Sequence, residues 1–252
     1  MDLPIPAYTF GVLLGDGCFT KGSITLAGDD LEIGDFVRCD LRGRFPTITL
    51  TRRTVDRSWV FSKGATGGVR DSNPLMAAIR SMGLAGVGSL EKWIPDEYLC
   101  ASLSQRLELL RGLMDADGCV LARNTTTFNT SSRRLADGVV QLVQSLGGVA
   151  TRSSFDRDGE TEVAVRIALD VCPFRLPRKK AKWSRRSNQP IRRAIVSIEP
   201  TRRTACTCIQ VDAPDNLYVA DHFVVTHNTT IACVGLAYKL YQLSCLRNPS
   251  DY

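Results

Sequence analysis

Two aspartates, Asp16 and Asp117, each precede a glycine at the end of an apolar stretch. Carboxylate oxygens suit Mg²⁺ or Mn²⁺, and two aspartates brought together can share such an ion. Metal-assisted hydrolysis of a phosphodiester needs this arrangement, because the metal activates water and stabilises the leaving oxygen. Asp-Gly is also a common turn dipeptide, and either copy alone would indicate only a turn. Two copies in the same local context favour a shared metal site.

The residues around each aspartate predict two helices that would position the carboxylates. Small residues lie four apart, Gly11 with Gly15 and Gly112 with Ala116, and therefore share one face of each helix. Because small side chains let helix backbones approach closely, we expect the two helices to pack together and bring the aspartates side by side. The glycine after each aspartate predicts a left-handed turn at the helix end. A carboxylate there is unfavourable by about 0.3–1 kcal/mol, and a bound cation would reverse that balance.

A repeat extends beyond the two motifs. Each motif is followed by a predicted hairpin, Cys18–Leu26 or Cys119–Phe128, and then by a helix that begins near Asp30 or Ser131. Strand pairs follow in each half, and apolar and polar residues alternate over residues 162–169 as in a strand with one buried face. The sequence therefore predicts an α+β fold built from a duplicated αββαββα unit.

The composition is that of a globular protein with one strongly basic stretch. The chain has 252 residues, 44% of them apolar, and a net charge of +6. Nine positive residues and no acid between Arg175 and Arg193 indicate a polyanionic partner. No apolar run is long enough to span a membrane and the first residues do not resemble a signal peptide, which predicts a cytoplasmic location. The nine cysteines lack metal-ligand spacing, and most are expected to be reduced, buried thiols.

The segment Leu110–Gly118 resembles the LAGLIDADG signature of homing endonucleases almost letter for letter, and Thr9–Gly17 is a looser copy. The resemblance implies that Asp16 and Asp117 are the catalytic acids and ligands of Mg²⁺ or Mn²⁺. It also implies a catalytic-centre lysine in each half. Lys92 lies in a segment similar to the family's K-x-I-P element, and Lys179, with Lys180 as a close rival, is its counterpart in the second half.

The same resemblance implies a double-stranded DNA partner with a long recognition site, bound by a monomer because both halves lie in one chain. DNA contact is expected on the polar faces of the sheets, where phosphate contacts give affinity and base contacts give specificity. Alternation along the strands selects six candidates: Lys21, Arg53, Arg57, Arg123, Arg152 and Arg166.

Near the C-terminus, the segments Cys208–Asp212 and Phe223–Thr229 resemble the two C-terminal sequence blocks of inteins. The resemblance implies that Asn228 cyclises and cleaves the bond to Thr229, that His227 protonates the leaving amine, and that the Thr229 hydroxyl is the splicing nucleophile. Cys208 is either the nucleophile found in a minority class of inteins or a buried structural thiol.

The N-terminal splicing blocks of inteins are missing from this chain, which begins a few residues before the first motif. Splicing by the chain alone is therefore not expected, and an N-terminal intein fragment acting in trans is a candidate partner. Residues 229–252 resemble host sequence after the insertion, and the Thr229–Ala232 segment suits the end of a phosphate-binding loop. A phage terminase-like ATPase is our sequence-based hypothesis for the host.

These observations predict three parts. Residues 1–186 form a pseudo-twofold LAGLIDADG endonuclease domain, with halves at about 3–104 and 105–186. Residues 187–228 supply short β-strands of a partial Hint (intein) domain, and residues 229–252 are a host fragment with a C-terminal helix. Two alternatives remain: a degenerate or split intein fragment whose endonuclease is inactive, and a LAGLIDADG module that binds DNA without cutting it.

Overall fold

A computed structural model describes residues 2–20, 22–28, 30–63, 73–157, 159–185, 197–200, 205, 209, 211–226, 236–242 and 245. The chain divides into two compact units, Met1–Arg193 and Ala194–Tyr252. This division lies close to the expected boundary at residue 186. Among the helices that the structure describes, none is long and apolar enough to cross a membrane.

The first unit contains the same succession of elements twice. The first copy comprises α1 (Ala7–Asp16), β1 (Gly17–Cys18), β2 (Ile24–Ala27), α2 (Leu31–Arg44), β3 (Ile48–Arg53), β4 (Ser58–Lys63) and α3 (Pro74–Ser81). After the short helix α4 (Asp96–Leu99), the second copy comprises α5 (Leu103–Asp117), β5 (Gly118–Leu121), β6 (Thr125–Thr130), α6 (Arg133–Ser145), β7 (Val149–Arg157), β8 (Glu160–Ala168) and α7 (Pro177–Lys180). The predicted duplicated αββαββα fold is confirmed.

Each copy contains one four-stranded antiparallel sheet, and the two sheets have the same strand order, β1-β2-β4-β3 and β5-β6-β8-β7. Residues directly opposite each other in such a sheet point to the same face. In the second sheet Phe128, Val165 and Ile167 line the buried face, which α6 covers, while Arg166 lies on the open face opposite Thr127. The alternation predicted over residues 162–169 is therefore present.

Polar side chains fix the beginnings of the second helix in each copy. The Asp30 carboxylate accepts hydrogen bonds from the backbone amides at the start of α2, and the Ser132 hydroxyl accepts one from the Leu135 amide in α6. Such caps pair amides that have no partner within the helix. The caps lie thirteen and fourteen residues beyond the motif glycines, and the predicted start near Ser131 is therefore shifted by one residue.

The ends of the motif helices differ from the prediction. Gly17 and Gly118 have extended conformations (φ −79° and −89°) and not the left-handed turn expected from the sequence. Glycine is needed for a steric reason instead. A Cβ at position 118 would lie 2.6 Å from the Met114 carbonyl oxygen, and one at position 17 would lie 2.9 Å from the Leu13 Cα. The chain thus passes directly from each helix into the first strand of its sheet.

In the second unit the structure describes a hairpin and a helical segment. Strand β9 (Tyr218–Ala220) pairs antiparallel with β10 (Val224–Thr226). Residues 236–242 are helical, in the region where a C-terminal helix was predicted. These elements match the predicted short strands followed by a helix.

Candidate active site at the paired helix ends

Helices α1 and α5 pack with their backbones in direct contact. A Cβ at Gly11 would lie 2.9 Å from the Leu113 amide nitrogen, and one at Gly112 would lie 2.8 Å from the Val12 amide nitrogen. No side chain fits at either position, as the spacing of small residues predicted. Since both helices end at their motif aspartates, this packing brings Asp16 and Asp117 to the same end of the helix pair.

The two carboxylates lie next to each other in a partly buried setting. A Cβ on Gly15, the neighbour of Asp16, would be 3.0 Å from Asp117 Oδ2. Burial raises the pKa of Asp16. Burial, followed by the negative charge of Asp16, raises the pKa of Asp117 to about 7. Two desolvated carboxylates of like charge form a site that a divalent cation would stabilise.

The first predicted lysine, Lys92, is buried beneath the end of α1. Its Nζ lies 2.7–3.4 Å from the carbonyl oxygens of residues 13, 14, 15 and 17. The Leu14 and Gly15 carbonyls belong to the last turn of α1, which a helix leaves without amide partners, while the Leu13 carbonyl also accepts the Gly17 amide. Burial lowers the pKa of Lys92 to about 8, against the opposing effect of Asp117 and Asp16. The ammonium group thus compensates the negative end of α1 beside the carboxylate pair.

Lys179 forms the matching arrangement at α5. Its Nζ lies 2.6–3.3 Å from the carbonyl oxygens of residues 114, 115, 116 and 118, each 101 positions after its counterpart around Lys92. Lys180, which the sequence left as a rival, is exposed. The structure therefore places Lys179 and not Lys180 at the pseudo-symmetric position.

Each lysine segment is held by the opposite half of the unit. The backbone oxygen of Lys92 accepts a hydrogen bond of 2.6 Å from the hydroxyl of Ser132, the cap of α6. Ile94 packs against Gly138 in the same helix, where an added Cβ would lie 3.2 Å from its side chain. In the other direction, Arg178 beside Lys179 forms ion pairs with Asp30 and Glu32 at the start of α2.

These ion pairs revise the interpretation of the basic stretch. Arg175 pairs with Asp40 and Glu108, Arg178 with Asp30 and Glu32, and Arg185 with Asp170. Acids that are distant in sequence therefore compensate three of the nine positive residues. Over the described part of the stretch, the charges of these three arginines are therefore compensated, while Lys180 and Lys182 are exposed.

A polar cavity of about 330 Å³ opens beside Asp117. Lys92 and Gly15 line one side, while Asn129 of β6 and Glu162 of β8 line the other. The charge of Glu162 contributes to the raised pKa of Asp117. Sequence analysis missed both residues, because only the strand register shows that they lie at the sheet end next to the helix pair.

Asp115 was also missed, although it lies within the second motif. It is 1% exposed and accepts hydrogen bonds from the Tyr8 hydroxyl and from the backbone amides of Arg175 and Leu176. In the sequence, the one available signal is a carboxylate within a predicted apolar helix, because a carboxylate that is buried there needs hydrogen-bond partners.

The structure separates the six arginine and lysine candidates for DNA contact. Arg53, opposite Ser58, and Arg166, opposite Thr127, lie on the open faces of the two sheets. Arg57 lies in the β3–β4 turn with φ +49°. Arg152 is a correction: it is opposite Val165, so it lies on the helix side, where it forms an ion pair with Asp137 of α6. Lys21 and the side chain of Arg123 lie outside the described residues.

The predicted splicing residues Cys208, His227, Asn228 and Thr229 also lie outside the described residues. Of the six cysteines that the structure describes, four are exposed and two are half-buried, so the expectation of mostly buried thiols is wrong for this part of the chain. Within the described part of the chain, no group of three or more His, Cys, Asp or Glu side chains could hold a metal ion. Asp16 and Asp117 would therefore supply only part of a metal's ligands.

Comparison with known proteins identifies the class of the second half. A family model described as a LAGLIDADG-like domain matches residues 104–170, which include nearly all of α5 through β8. The chain therefore contains a LAGLIDADG-like domain, and the match covers the motif that ends at Asp117.

The chain is also similar to proteins named replicative DNA helicase DnaB. The protein from Mycobacterium intracellulare is 31% identical over 246 residues, which cover 92% of this chain and 37% of the relative. The protein from Nostoc sp. (strain PCC 7120) is 30% identical over 155 residues, covering 56% of this chain and 17% of the relative. The chain thus spans 37% of the length of the first relative and 17% of the length of the second.

Among solved structures, the homing endonuclease I-DmoI in complex with DNA and Ca is similar with a TM-score of 0.46 and 16% identity, covering 71% of this chain and 95% of that one. The N-terminal LAGLIDADG domain of DUF199/WhiA is similar with a TM-score of 0.38 and 7% identity, covering 65% of this chain and 74% of that one.

Proposed function

We propose that this protein is a site-specific homing endonuclease that hydrolyses both strands of double-stranded DNA with Mg²⁺ or Mn²⁺. The observation that carries the proposal is the pair of adjacent, partly buried carboxylates of Asp16 and Asp117 at the ends of α1 and α5. The match of residues 104–170 to a LAGLIDADG-like domain supports it.

The donor set fits a hard divalent cation. Both aspartates offer carboxylate oxygens, and burial makes their shared negative charge unfavourable without a cation. Asp16 and Asp117 would hold the metal, and water and DNA phosphate oxygens would complete its coordination. When bound, the metal supplies activation of water and stabilisation of the leaving oxygen.

The two lysines would act chiefly by positioning. An ammonium group has three N–H bonds, and the Nζ atoms of Lys92 and Lys179 each face four backbone carbonyls. Their charges hold the helix ends in place and favour ionised aspartates, since both lysines oppose the raised pKa of Asp16 and Asp117. This differs from a direct catalytic role, which the family resemblance implies for a lysine in each half.

DNA would lie across the open faces of the two sheets. Arg53 and Arg166 project from these faces, and Arg57 lies in the adjoining turn. Phosphate contacts by these residues would give affinity that falls with salt. Arg152, on the helix side, is excluded from this surface.

The test is cleavage of DNA that carries the host gene without the insertion. We expect the wild-type protein to cut it when Mg²⁺ is present, and Asp16→Asn or Asp117→Asn to abolish cutting while DNA binding persists. Asp35→Asn, at an exposed position of α2, is the matched control and should leave cutting unchanged. A wild-type protein that bound this DNA without cutting it would support the alternative of a non-cleaving DNA-binding module.

We also propose that the endonuclease is part of an intein inserted in a replicative DNA helicase. The chain spans a minor part of relatives that carry that name, and a helicase suits the phosphate-binding-loop sequence at Thr229–Ala232. This host replaces the terminase-like ATPase suggested by sequence alone. Asn228, His227, Thr229 and Cys208 are assigned their splicing roles by resemblance only.

Mass spectrometry tests the splicing role. A matched upstream fragment supplied in trans should lead to release of the segment beginning at Thr229 or to its ligation to the upstream flank. Asn228→Ala should block both products, because it removes the side-chain amide that attacks the backbone. If neither product forms with the wild-type chain, the C-terminal segment is a relic and the chain acts as an endonuclease only.

A further inference from the structure

Asp115 is a buried carboxylate that the proposed reaction does not use directly. It lies in the last turn of α5, two residues before Asp117, and is 1% exposed. It accepts a hydrogen bond of 3.0 Å from the Tyr8 hydroxyl of α1 and bonds of 3.1 Å from the backbone amides of Arg175 and Leu176. Burying a carboxylate is costly, and these three donors compensate it.

The amides that Asp115 holds lead directly to Lys179. Leu176 caps the start of α7, and its carbonyl accepts hydrogen bonds from the amides of Lys179 and Lys180. The Lys179 ammonium then returns to the carbonyl oxygen of Asp115 itself, at 2.6 Å. Residue 115 is therefore attached to the lysine segment twice, through its side chain at Leu176 and through its backbone at Lys179.

The first half has no counterpart of this attachment. The offset of 101 that relates Asp16 to Asp117 places Leu14, a buried apolar residue, at the position equivalent to Asp115. The Lys92 segment is instead held by Ser132 and by packing against Gly138. Lys179 thus has a neighbouring carboxylate that Lys92 lacks.

The same carboxylate acts on the charge of Lys179. Burial lowers the pKa of Lys179, and Asp115 opposes this most strongly, ahead of Asp16 and Asp117, while Arg178 adds to the lowering. For Lys92 the opposing charges are those of Asp117 and Asp16, followed by Cys18.

We propose that Asp115 is a positioning residue that docks the backbone segment carrying Lys179, so that the two halves of the active site depend on different support. Only the cleavage measurement in its test rests on the proposed endonuclease function. We assign the cut of one strand to each half of the site, so loss of Asp115 should slow the cut made by the second half more than the cut made by the first.

The test compares Asp115→Asn and Asp115→Leu, which introduces the residue type of the first half, with wild type. We expect faster hydrogen exchange at the amides of Arg175 and Leu176, and a lower pKa for the Lys179 ammonium by NMR with that of Lys92 unchanged. On supercoiled plasmid, one strand should be cut roughly ten- to a hundredfold more slowly, so that nicked DNA accumulates.

Asp40→Asn is the control for a general loss of stability. Asp40 also accepts hydrogen bonds from the Thr9 hydroxyl and the Arg175 side chain, but it does not hold the backbone that carries Lys179. It should change neither the Lys179 pKa nor the ratio of nicked to linear product. Equal changes at Lys92 and Lys179, or equal slowing of both strands, would overturn the inference. If the wild-type protein cuts no DNA, the endonuclease proposal fails, while the exchange and NMR measurements still decide the role of Asp115.

Discussion

Asp117 occupies the least favourable position for a negative charge among the motif residues. Burial and the adjacent Asp16 raise its pKa to about 7, above the ordinary value of 3.8. A raised pKa in the folded state means that Asp117 contributes stability below about pH 4, and this contribution is lost as the pH rises through 7. Without metal, the ionised site therefore destabilises the protein near pH 8.

The Asp117→Asn change should consequently stabilise the metal-free protein in a pH-dependent way. One pKa unit corresponds to about 1.4 kcal/mol, and partial exposure reduces the effect, so we expect a gain of roughly 1–3 kcal/mol at pH 8 and a smaller gain at pH 4. Thermal unfolding in EDTA measures it. Added Mg²⁺ should stabilise the wild type and not the variant, since only the wild type keeps both carboxylates. A gain in stability that did not depend on pH would contradict the conclusion that the ionised Asp117 carboxylate destabilises the metal-free protein.

For single residues, the sequence indicates the candidates that belong to recognisable motifs. It does not indicate those that reach the site only through packing of the folded chain. Asp16, Asp117 and Lys92 follow from the motifs. The choice between Lys179 and Lys180 required the geometry of α7, because adjacent residues point in different directions. Asp115, Asn129 and Glu162 have no distinctive spacing. The packing of α5 with α1 and with the segment before α7 gives Asp115 its partners, while the second sheet places Asn129 and Glu162 beside Asp117.

The contact between α1 and α5 depends on glycine at Gly11 and Gly112. A Cβ at position 11 would lie 2.9 Å from Leu113 N and 3.0 Å from Gly112 Cα, so one helix must move away from the other. Gly11→Ala should therefore lower the free energy of unfolding by about 1–3 kcal/mol or more, as overpacking of a core does. It should also reduce cleavage, because the aspartates at the helix ends separate.

Gly43→Ala is the matched control for that change. Gly43 lies near the end of α2, with open space around the position of an added Cβ. Alanine there should stabilise the protein by up to about 1 kcal/mol, because it restricts the unfolded chain and favours helix. Denaturant unfolding of both variants measures the difference. Equal effects at the two glycines would show that close helix packing does not control stability.

Strand register decides which basic residues can face DNA. Arg166→Ala should weaken DNA binding and reduce the slope of log affinity against log salt by about one, because one phosphate contact is lost. Arg152→Ala should leave both quantities near their wild-type values, since Arg152 lies on the helix side and pairs with Asp137. Fluorescence anisotropy over a salt series tests the pair. A larger effect at Arg152 would reverse the assignment of the sheet faces.

The sequence predicted the type and order of these elements better than their local geometry. Alternation in residues 162–169 identified the buried face of β8 because large apolar residues take turns there with charged residues or alanine. It failed at Arg152 because β7 is an edge strand whose two faces are both largely polar or exposed. The turn expected at Gly17 and Gly118 was wrong because glycine serves there to avoid a clash with the preceding helix turn.

On the scale of the whole molecule, one chain supplies both halves of the site. Each lysine segment is held by the other half, through Ser132 in one direction and through Asp30 and Glu32 in the other. We therefore expect a monomer in solution and one protein molecule bound per DNA duplex. Sedimentation equilibrium measures the mass with and without DNA, and an obligate dimer would contradict the prediction.

The sequence predicts a boundary near Arg186 because the repeat and its strand pattern end there, and the structure divides the chain after Arg193. The reciprocal attachment of the two halves was not predicted, since it depends on contacts between residues far apart in the sequence, the hydrogen bond from Ser132 to Lys92 and the ion pair of Arg178 with Asp30.

The packing of α1 against α5 also has a consequence for biosynthesis. Val12 and Leu13 are fully buried in the finished protein, yet α5 ends 101 residues after α1. At 5–20 residues per second, the ribosome needs roughly 5–20 s to synthesise that interval. Throughout it the face of the first helix that packs against α5 lacks that partner, so the nascent chain is exposed to aggregation and to capture by chaperones until the second motif emerges.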